Sequence, residues 1–152
     1  MANEFSASTA SPVGVYVDEV YQSFRASHGL QLYDIDRVEV LRGPQGTLYG
    51  RNTTGGLVNY ITAKPTSAFS TGGTIEIGNF DTFNAEGYVS LPLTATMGLR
   101  LSGRWETSGE GWQRSVSRPD DRLGKKDRLG ARAILAWEPA DALRITLSGS
   151  YW

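Results

Sequence analysis

The chain has 152 residues, 39% of them hydrophobic, and its 15 basic and 16 acidic residues give a formal net charge of −1. Because these charges are balanced and interspersed, there is no basic field for nucleic acid, and the absence of cysteine excludes disulfides and thiolate metal sites. No apolar run approaches the roughly 20 residues of a membrane-spanning helix, and residues 1–12 lack the apolar core of a secretory signal peptide.

The first region, residues 13–63, is predicted to be α+β. Its Val-rich, Tyr-rich and alternating stretches predict strands at residues 13–21, 37–42 and 57–62, with a polar loop at 21–29 and a short helical turn within 30–36. Gly43 and Pro44 end the second strand. Pro44 suits the first position of a short helix that runs to Tyr49, and Gly50 is expected to end that helix.

The second region alternates between apolar and polar residues in five runs, at residues 71–79, 83–91, 97–107, 128–138 and 143–151. In a strand this period of two places the apolar and polar sets on opposite faces. The connections at 92–96 and 139–142 are tight, whereas 109–126 is long and charged. Both a soluble half-buried sheet and a transmembrane β-barrel show this period. Two features favour the barrel: charges crowd the polar face, and aromatic residues lie near the strand ends. These aromatic residues are Phe83, Trp105, Trp137 and Tyr151.

Residues 38–65 read VEVLRGPQGTLYGRNTTGGLVNYITAKP. This segment closely resembles the closing part of the plug domain in TonB-dependent outer-membrane receptors: a strand, Arg-Gly-Pro, a turn ending in Tyr-Gly, a Gly-Gly pair, a strand with Asn, and Lys before Pro. The residues that carry the motif are Glu39, Arg42, Gly43, Pro44, Gly46, Tyr49, Gly50, Gly55, Gly56 and Asn59. A phosphate-binding loop is rejected, because Gly56 stands where that motif needs Lys and Leu57 where it needs Ser or Thr.

The resemblance implies a mainly β architecture. Residues 1–65 are expected to be the C-terminal part of a plug, and residues 66–152 the first strands of a 22-stranded antiparallel barrel. About five strands are present, so the barrel is incomplete. We therefore expect an internal fragment of a longer receptor, without its signal peptide and without the TonB box that engages the energy-transducing partner. The tight connections are expected on the periplasmic side and the long one outside.

The resemblance also implies a function. The parent receptor would lie in the outer membrane of a Gram-negative bacterium, in contact with lipid. It would import a scarce ligand, with a ferric siderophore favoured, using energy from TonB and its inner-membrane motor proteins. No enzymatic chemistry, cofactor or metal site is expected, since His28 is the only histidine. The alternatives are a soluble β-rich binding or interaction module, and the same fold importing cobalamin, nickel or an oligosaccharide.

The polar loop that follows the first strand is the candidate ligand site. Tyr21, Phe24, Arg25 and His28 offer aromatic faces and cationic donors suited to an anionic chelate, although an ordinary polar loop is the alternative. Glu39 and Arg42 should point to opposite faces of their strand and not pair with each other. By resemblance, Arg42 is expected to find a carboxylate on the barrel wall.

Overall fold

The computed structural model describes residues 12–22, 32–50, 52–111, 113–118 and 122–152. The chain divides into two compact units, Met1–Ala63 and Lys64–Trp152, which are described separately below. Among the described residues there is no helix with the length and hydropathy needed to cross a membrane. Phe24, Arg25 and His28 of the candidate ligand loop lie outside the described residues.

The first unit is a mixed four-stranded sheet with one short helix. Its elements are β1 (Val13–Val17), β2 (Val20–Tyr21), β3 (Ile35–Arg42), α1 (Gly46–Tyr49) and β4 (Gly56–Thr62). The strand order is β2-β1-β4-β3, with β1 parallel to β4 and the other two pairings antiparallel. The predicted α+β character of this region is confirmed.

Three local predictions in this unit were wrong. The expected strand over 13–21 is a tight hairpin, because Asp18 and Glu19 have φ of 47° and 69° and reverse the chain. The described part of 30–36 contains no helical turn; Asp34 has φ of 52°, a left-handed conformation that a right-handed helix cannot continue, and β3 begins at the next residue. Pro44 precedes α1 rather than opening it, since Gln45 is the N-cap with a non-helical ψ of 15°. Gly50 ends the helix as expected.

The second unit is dominated by an open antiparallel sheet. Its elements are β5 (Ser70–Gly78), β6 (Thr82–Thr94), β7 (Met97–Ser108), β8 (Gln113–Arg114), β9 (Arg122–Leu123), β10 (Lys126–Ala140) and β11 (Leu143–Tyr151). The five long strands form one sheet in the order β11-β10-β7-β6-β5, and the short β8 and β9 pair with each other inside the long connection. The five alternating runs are therefore five neighbouring strands, as predicted.

The register of this sheet places even-numbered residues opposite even-numbered residues. Glu86 lies opposite Arg104, which lies opposite Gly130 on the next strand. This parity holds across all four pairings, apart from shifts beside the turns at 92–94 and 137–140. The alternation of each strand therefore adds up to one largely polar face and one largely apolar face over the whole sheet.

The polar face is the more buried one. Its buried polar residues are Ser90, Arg100, Ser102, Glu106 and Arg132, together with one apolar residue, Ile134. On the apolar face large side chains are exposed: Leu101 by 40%, Leu129 by 59% and Leu147 by 61%. A soluble sheet buries its apolar face, so this arrangement is the reverse of a water-soluble one.

Candidate functional site

Three tyrosines meet where the β1–β2 hairpin packs against α1. The Tyr16 and Tyr21 ring centroids lie 5.5 Å apart, and those of Tyr16 and Tyr49 lie 5.1 Å apart in an edge-to-face arrangement. The Tyr16 hydroxyl is buried and donates a 2.7 Å hydrogen bond to the Tyr49 carbonyl oxygen. Burial raises the pKa of Tyr16 above its ordinary value, and the nearby Tyr21 and Tyr49 add to the shift. Tyr16 therefore remains a neutral donor at physiological pH.

Side-chain hydrogen bonds hold the chain beyond α1 against this tyrosine cluster. Asn52 Nδ2 donates to the Tyr21 hydroxyl at 2.9 Å, and the Thr53 hydroxyl donates to the Gly50 carbonyl at 2.7 Å. The backbone amide of Gln45 donates to the Thr53 carbonyl oxygen at 2.9 Å, and this bond joins the residues before α1 to those after it. The cluster is thus built on a constrained backbone rather than on isolated loop residues.

A cleft of about 490 Å³ opens at the cluster and is lined by Tyr16, Glu19, Tyr21, Leu48 and Tyr49. Of the four predicted ligand residues, Tyr21 lines this cleft. The roles of Phe24, Arg25 and His28 stay predictions. Sequence reasoning did not select Tyr16, Glu19 or Leu48. Recognising a two-residue hairpin loop at 18–19 would have placed Tyr16 directly opposite Tyr21, which is the observed register.

A second set of hydrogen bonds ties the hairpin turn to β4. The Asp18 carboxylate accepts from the Thr62 amide at 3.0 Å and from the Thr62 hydroxyl at 2.5 Å. The Glu19 amide donates to Asn59 Oδ1 at 3.2 Å, and Asn59 Nδ2 donates to Glu39 Oε2 at 3.4 Å. Asn59 is only 1% exposed, so these bonds satisfy an amide that has lost its water. The asparagine and glutamate of the motif therefore link β3 and β4 to the turn of the β1–β2 hairpin.

Among the motif glycines, Gly56 is the most constrained. It has φ of 134°, and a Cβ built there would lie 2.4 Å from the Leu41 carbonyl oxygen. Gly43 and Gly50 also have positive φ but face open space. Gly55 donates its amide to the Pro12 carbonyl at 2.8 Å. Nothing in the structure explains a glycine at position 46, where φ is ordinary and space is open.

Glu39 and Arg42 do not pair, as expected. Glu39 instead accepts a 2.9 Å bond from Arg37, two residues away on the same face. The Arg42 side chain is exposed and forms no ion pair with any residue in the described ranges. A carboxylate partner for Arg42 on the barrel wall stays a prediction.

The polar face of the second unit carries a linked set of charges. Arg104 donates to Glu106 at 2.6 Å and lies 4.0 Å from Glu86 on the neighbouring strand. Arg100 stacks on the Tyr88 ring, 3.8 Å from its centroid. In the described part of the chain, no group of three or more His, Cys, Asp or Glu side chains is arranged to hold a metal ion.

Residues 3–57 match the family described as the TonB-dependent Receptor Plug Domain. Relatives of the same class match this chain as well. Residues 3–57 therefore belong to the plug-domain family of the TonB-dependent receptors. It is 48% identical over 56 residues to the pesticin receptor of Yersinia pestis, a match that covers 36% of this chain and 8% of the relative.

Two further similarities extend into the second unit. The ferric enterobactin receptor of Pseudomonas aeruginosa is 32% identical over 100 residues, covering 60% of this chain and 13% of that receptor. The crystal structure of the ferric yersiniabactin uptake receptor from Yersinia pestis superposes with a TM-score of 0.70 at 29% identity, covering 91% of this chain and 22% of that one. The chain thus spans 8% to 13% of the length of these curated relatives, which are receptors rather than enzymes.

Proposed function

We propose that this TonB-dependent receptor chain is part of an outer-membrane protein that imports a ferric siderophore with energy from TonB. The observation that carries the proposal is the plug motif followed directly by a sheet whose apolar face is exposed. A plug segment with such a sheet fits a receptor whose barrel meets lipid outside and water inside. Relatives named for ferric enterobactin and ferripyoverdine support iron as the cargo.

We assign residues 1–65 to the plug and residues 66–152 to the barrel. Two aromatic levels on the apolar face support the barrel assignment. Trp105 lies opposite Leu129, and Trp137 follows eight residues further along β10. Eight residues span about 26 Å of strand, which is roughly 20 Å along the membrane normal at a 40° tilt. That separation fits the interfacial girdles at the two edges of an apolar band roughly 25 Å tall. Location in the outer membrane follows from this assignment.

In the proposed mechanism the receptor performs no covalent chemistry. The ferric siderophore, an anionic chelate, binds from outside. The plug residues that contact it are Tyr21, Phe24, Arg25 and His28. TonB, driven by its inner-membrane motor proteins, then displaces part of the plug. The motif residues have a mechanical role here: Asn59, Glu39 and Gly56 keep β3 and β4 in close register so that the plug remains an ordered unit.

The test is iron uptake by the full-length receptor in a Gram-negative strain that lacks its own siderophore receptors. Radiolabelled iron supplied as catecholate and hydroxamate chelates should accumulate in cells with TonB and not in isogenic cells without it. The receptor should be recovered with the outer membrane. Uptake that does not require TonB, or recovery from the soluble fraction, would contradict the proposal. Accumulation of cobalamin, nickel or an oligosaccharide instead of iron would reassign the cargo.

A further inference from the structure

We propose that Glu19 and the tyrosines around it form a subsite for a cationic group, a primary ammonium or a guanidinium, carried by the ligand. The proposal rests on the proposed function, because it assigns a second chemical feature to the same imported molecule. The predicted cationic residues Arg25 and His28 address an anionic chelate, whereas this cleft, which shares Tyr21 with the predicted loop, addresses a positively charged appendage. Its residues are Tyr16, Glu19, Tyr21, Leu48 and Tyr49.

The backbone at Glu19 is the first observation. Glu19 is the second residue of a two-residue hairpin loop and has φ of 69°, a conformation in which glycine and asparagine are favoured. The neighbouring Asp18 also has positive φ, but its carboxylate is held by the amide and hydroxyl of Thr62. Only the backbone amide of Glu19 is bonded; its carboxylate forms no hydrogen bond or ion pair among the described residues. The fold therefore does not account for a glutamate here.

Strained backbone that the surrounding structure does not require is a feature of functional positions. The backbone strain at position 19 would be removed by glycine and reduced by asparagine, and either residue still donates its backbone amide to Asn59. What glutamate adds is a carboxylate at the edge of the cleft. The cleft is therefore the place to look for the role of that charge.

The chemistry of the cleft selects a cation. Among its described lining residues three are tyrosines, whose ring faces carry negative potential, and Glu19 is the one that is ionised. The Tyr16 hydroxyl is committed to the Tyr49 carbonyl, and the Tyr21 hydroxyl already accepts from Asn52. An ammonium beside the rings and Glu19 gains both attractions, while an anion there would meet repulsion from both. Leu48, 81% exposed, offers apolar contact for the stem that bears the cation.

The size of the cleft is suitable for such an appendage. At about 490 Å³ it falls within the range of roughly 300–1,000 Å³ typical of small-molecule sites. Its described lining residues all belong to the first unit, on the β1–β2 hairpin and α1.

The experiment uses the purified full-length receptor and three matched probes: phenethylammonium, neutral 2-phenylethanol and anionic phenylacetate. Binding is followed by ligand-observed NMR titration. Wild type should bind phenethylammonium saturably and more tightly than the other two probes. Glu19→Gln, which removes the charge and keeps the size, should weaken that binding about two- to fivefold, as expected for an accessible ion pair. Asp141→Asn, which removes an exposed carboxylate far along the chain, should leave binding unchanged.

Glu19→Asn separates function from folding. It removes the charge and relieves the backbone, so it should weaken phenethylammonium binding while increasing hydrogen-exchange protection of the β1–β2 hairpin. A purely structural role would give greater protection with unchanged binding, which would overturn the proposal. No saturable binding at concentrations on the order of 10 mM, or equal binding of phenylacetate, would overturn it as well. These titrations measure binding without TonB. Failure of the cation subsite is therefore distinguishable from failure of the proposed uptake function, which the iron-uptake assay measures.

Discussion

The two units of the chain use the same residue types in opposite ways. In the first unit Tyr16 and Leu57 are buried, while charged side chains such as Arg37 and Asp36 are exposed. In the second unit Arg100 and Glu106 are buried, while Leu147 is 61% exposed. The first pattern is typical of a protein in water, whereas the second is the one expected of the proposed barrel, whose apolar face meets hydrocarbon. The burial pattern therefore distinguishes the two kinds of surroundings, whereas the alternation of apolar and polar residues does not.

The largest expected effect comes from placing a charge on the apolar face of the second unit. Gly149→Arg lies on the apolar face opposite Ala133, midway between the two aromatic levels of the proposed barrel, and should destabilise the full-length receptor by about 2–4 kcal/mol, because the charge would there lie within the lipid bilayer. Unfolding in urea from lipid vesicles measures this cost. Ser148→Arg is the matched control, since Ser148 adjoins Gly149 in sequence but lies on the polar face, opposite Ile134. Equal losses of unfolding free energy in the two variants would mean that both faces of the sheet contact the same medium.

Within the first unit, Gly56→Ala should have the largest effect. Its new Cβ would approach the Leu41 carbonyl to 2.4 Å at a φ of 134°, so the β3–β4 pairing must open. The overpacking should cost about 2–3 kcal/mol. Gly43→Ala, with positive φ but open space, should cost about 1–2 kcal/mol. Hydrogen exchange of the β3 and β4 amides measures both. A smaller loss for Gly56→Ala than for Gly43→Ala would show that the close approach is not maintained.

Asn59→Ala should destabilise the first unit by about 1–3 kcal/mol, because the backbone amide of Glu19 loses its buried acceptor and Glu39 loses a donor. The measurement is the free energy of local opening from hydrogen exchange in β1 and β4. Asn84→Ala in the second unit is the control: its bond to Glu76 is exposed, and its loss should cost less than 1 kcal/mol. A reversed order of the two losses would refute the network as a source of stability.

The smallest expected effect is the coupling between Phe83 and Trp105. Their rings lie 5.5 Å apart at 63° on the apolar face of the second unit. A double-mutant cycle with Phe83→Ala and Trp105→Ala should give a coupling of about 0.5–1.5 kcal/mol. The same vesicle unfolding assay measures it. Strictly additive losses would mean that the two rings contribute to anchoring independently.

In the first unit, local sequence signals placed β3, β4 and α1 closely, because Gly43-Pro44, Tyr49-Gly50 and Gly55-Gly56 lie at the ends of these elements. The hairpin at Asp18 and Glu19 was missed because this dipeptide is not a typical turn sequence. Its left-handed backbone is supported by Thr62 and Asn59, more than 39 residues away. Tyr21 was selected from its own chemistry, whereas the cleft depends on Tyr16, Leu48 and Tyr49, which only the pairing of β1 and β2 and the position of α1 bring together.

The sequence by itself determined that the second unit consists of five alternating strands, since a period of two is a property of each strand's own residues. It also determined the plug motif, since that depends on residue types at set intervals. Only the tertiary structure decided that even-numbered positions meet across every strand pair, because register depends on pairing between distant segments. Burial then decided which face is inward: hydrophobic patterning distinguishes two faces, but only packing determines which of them is covered.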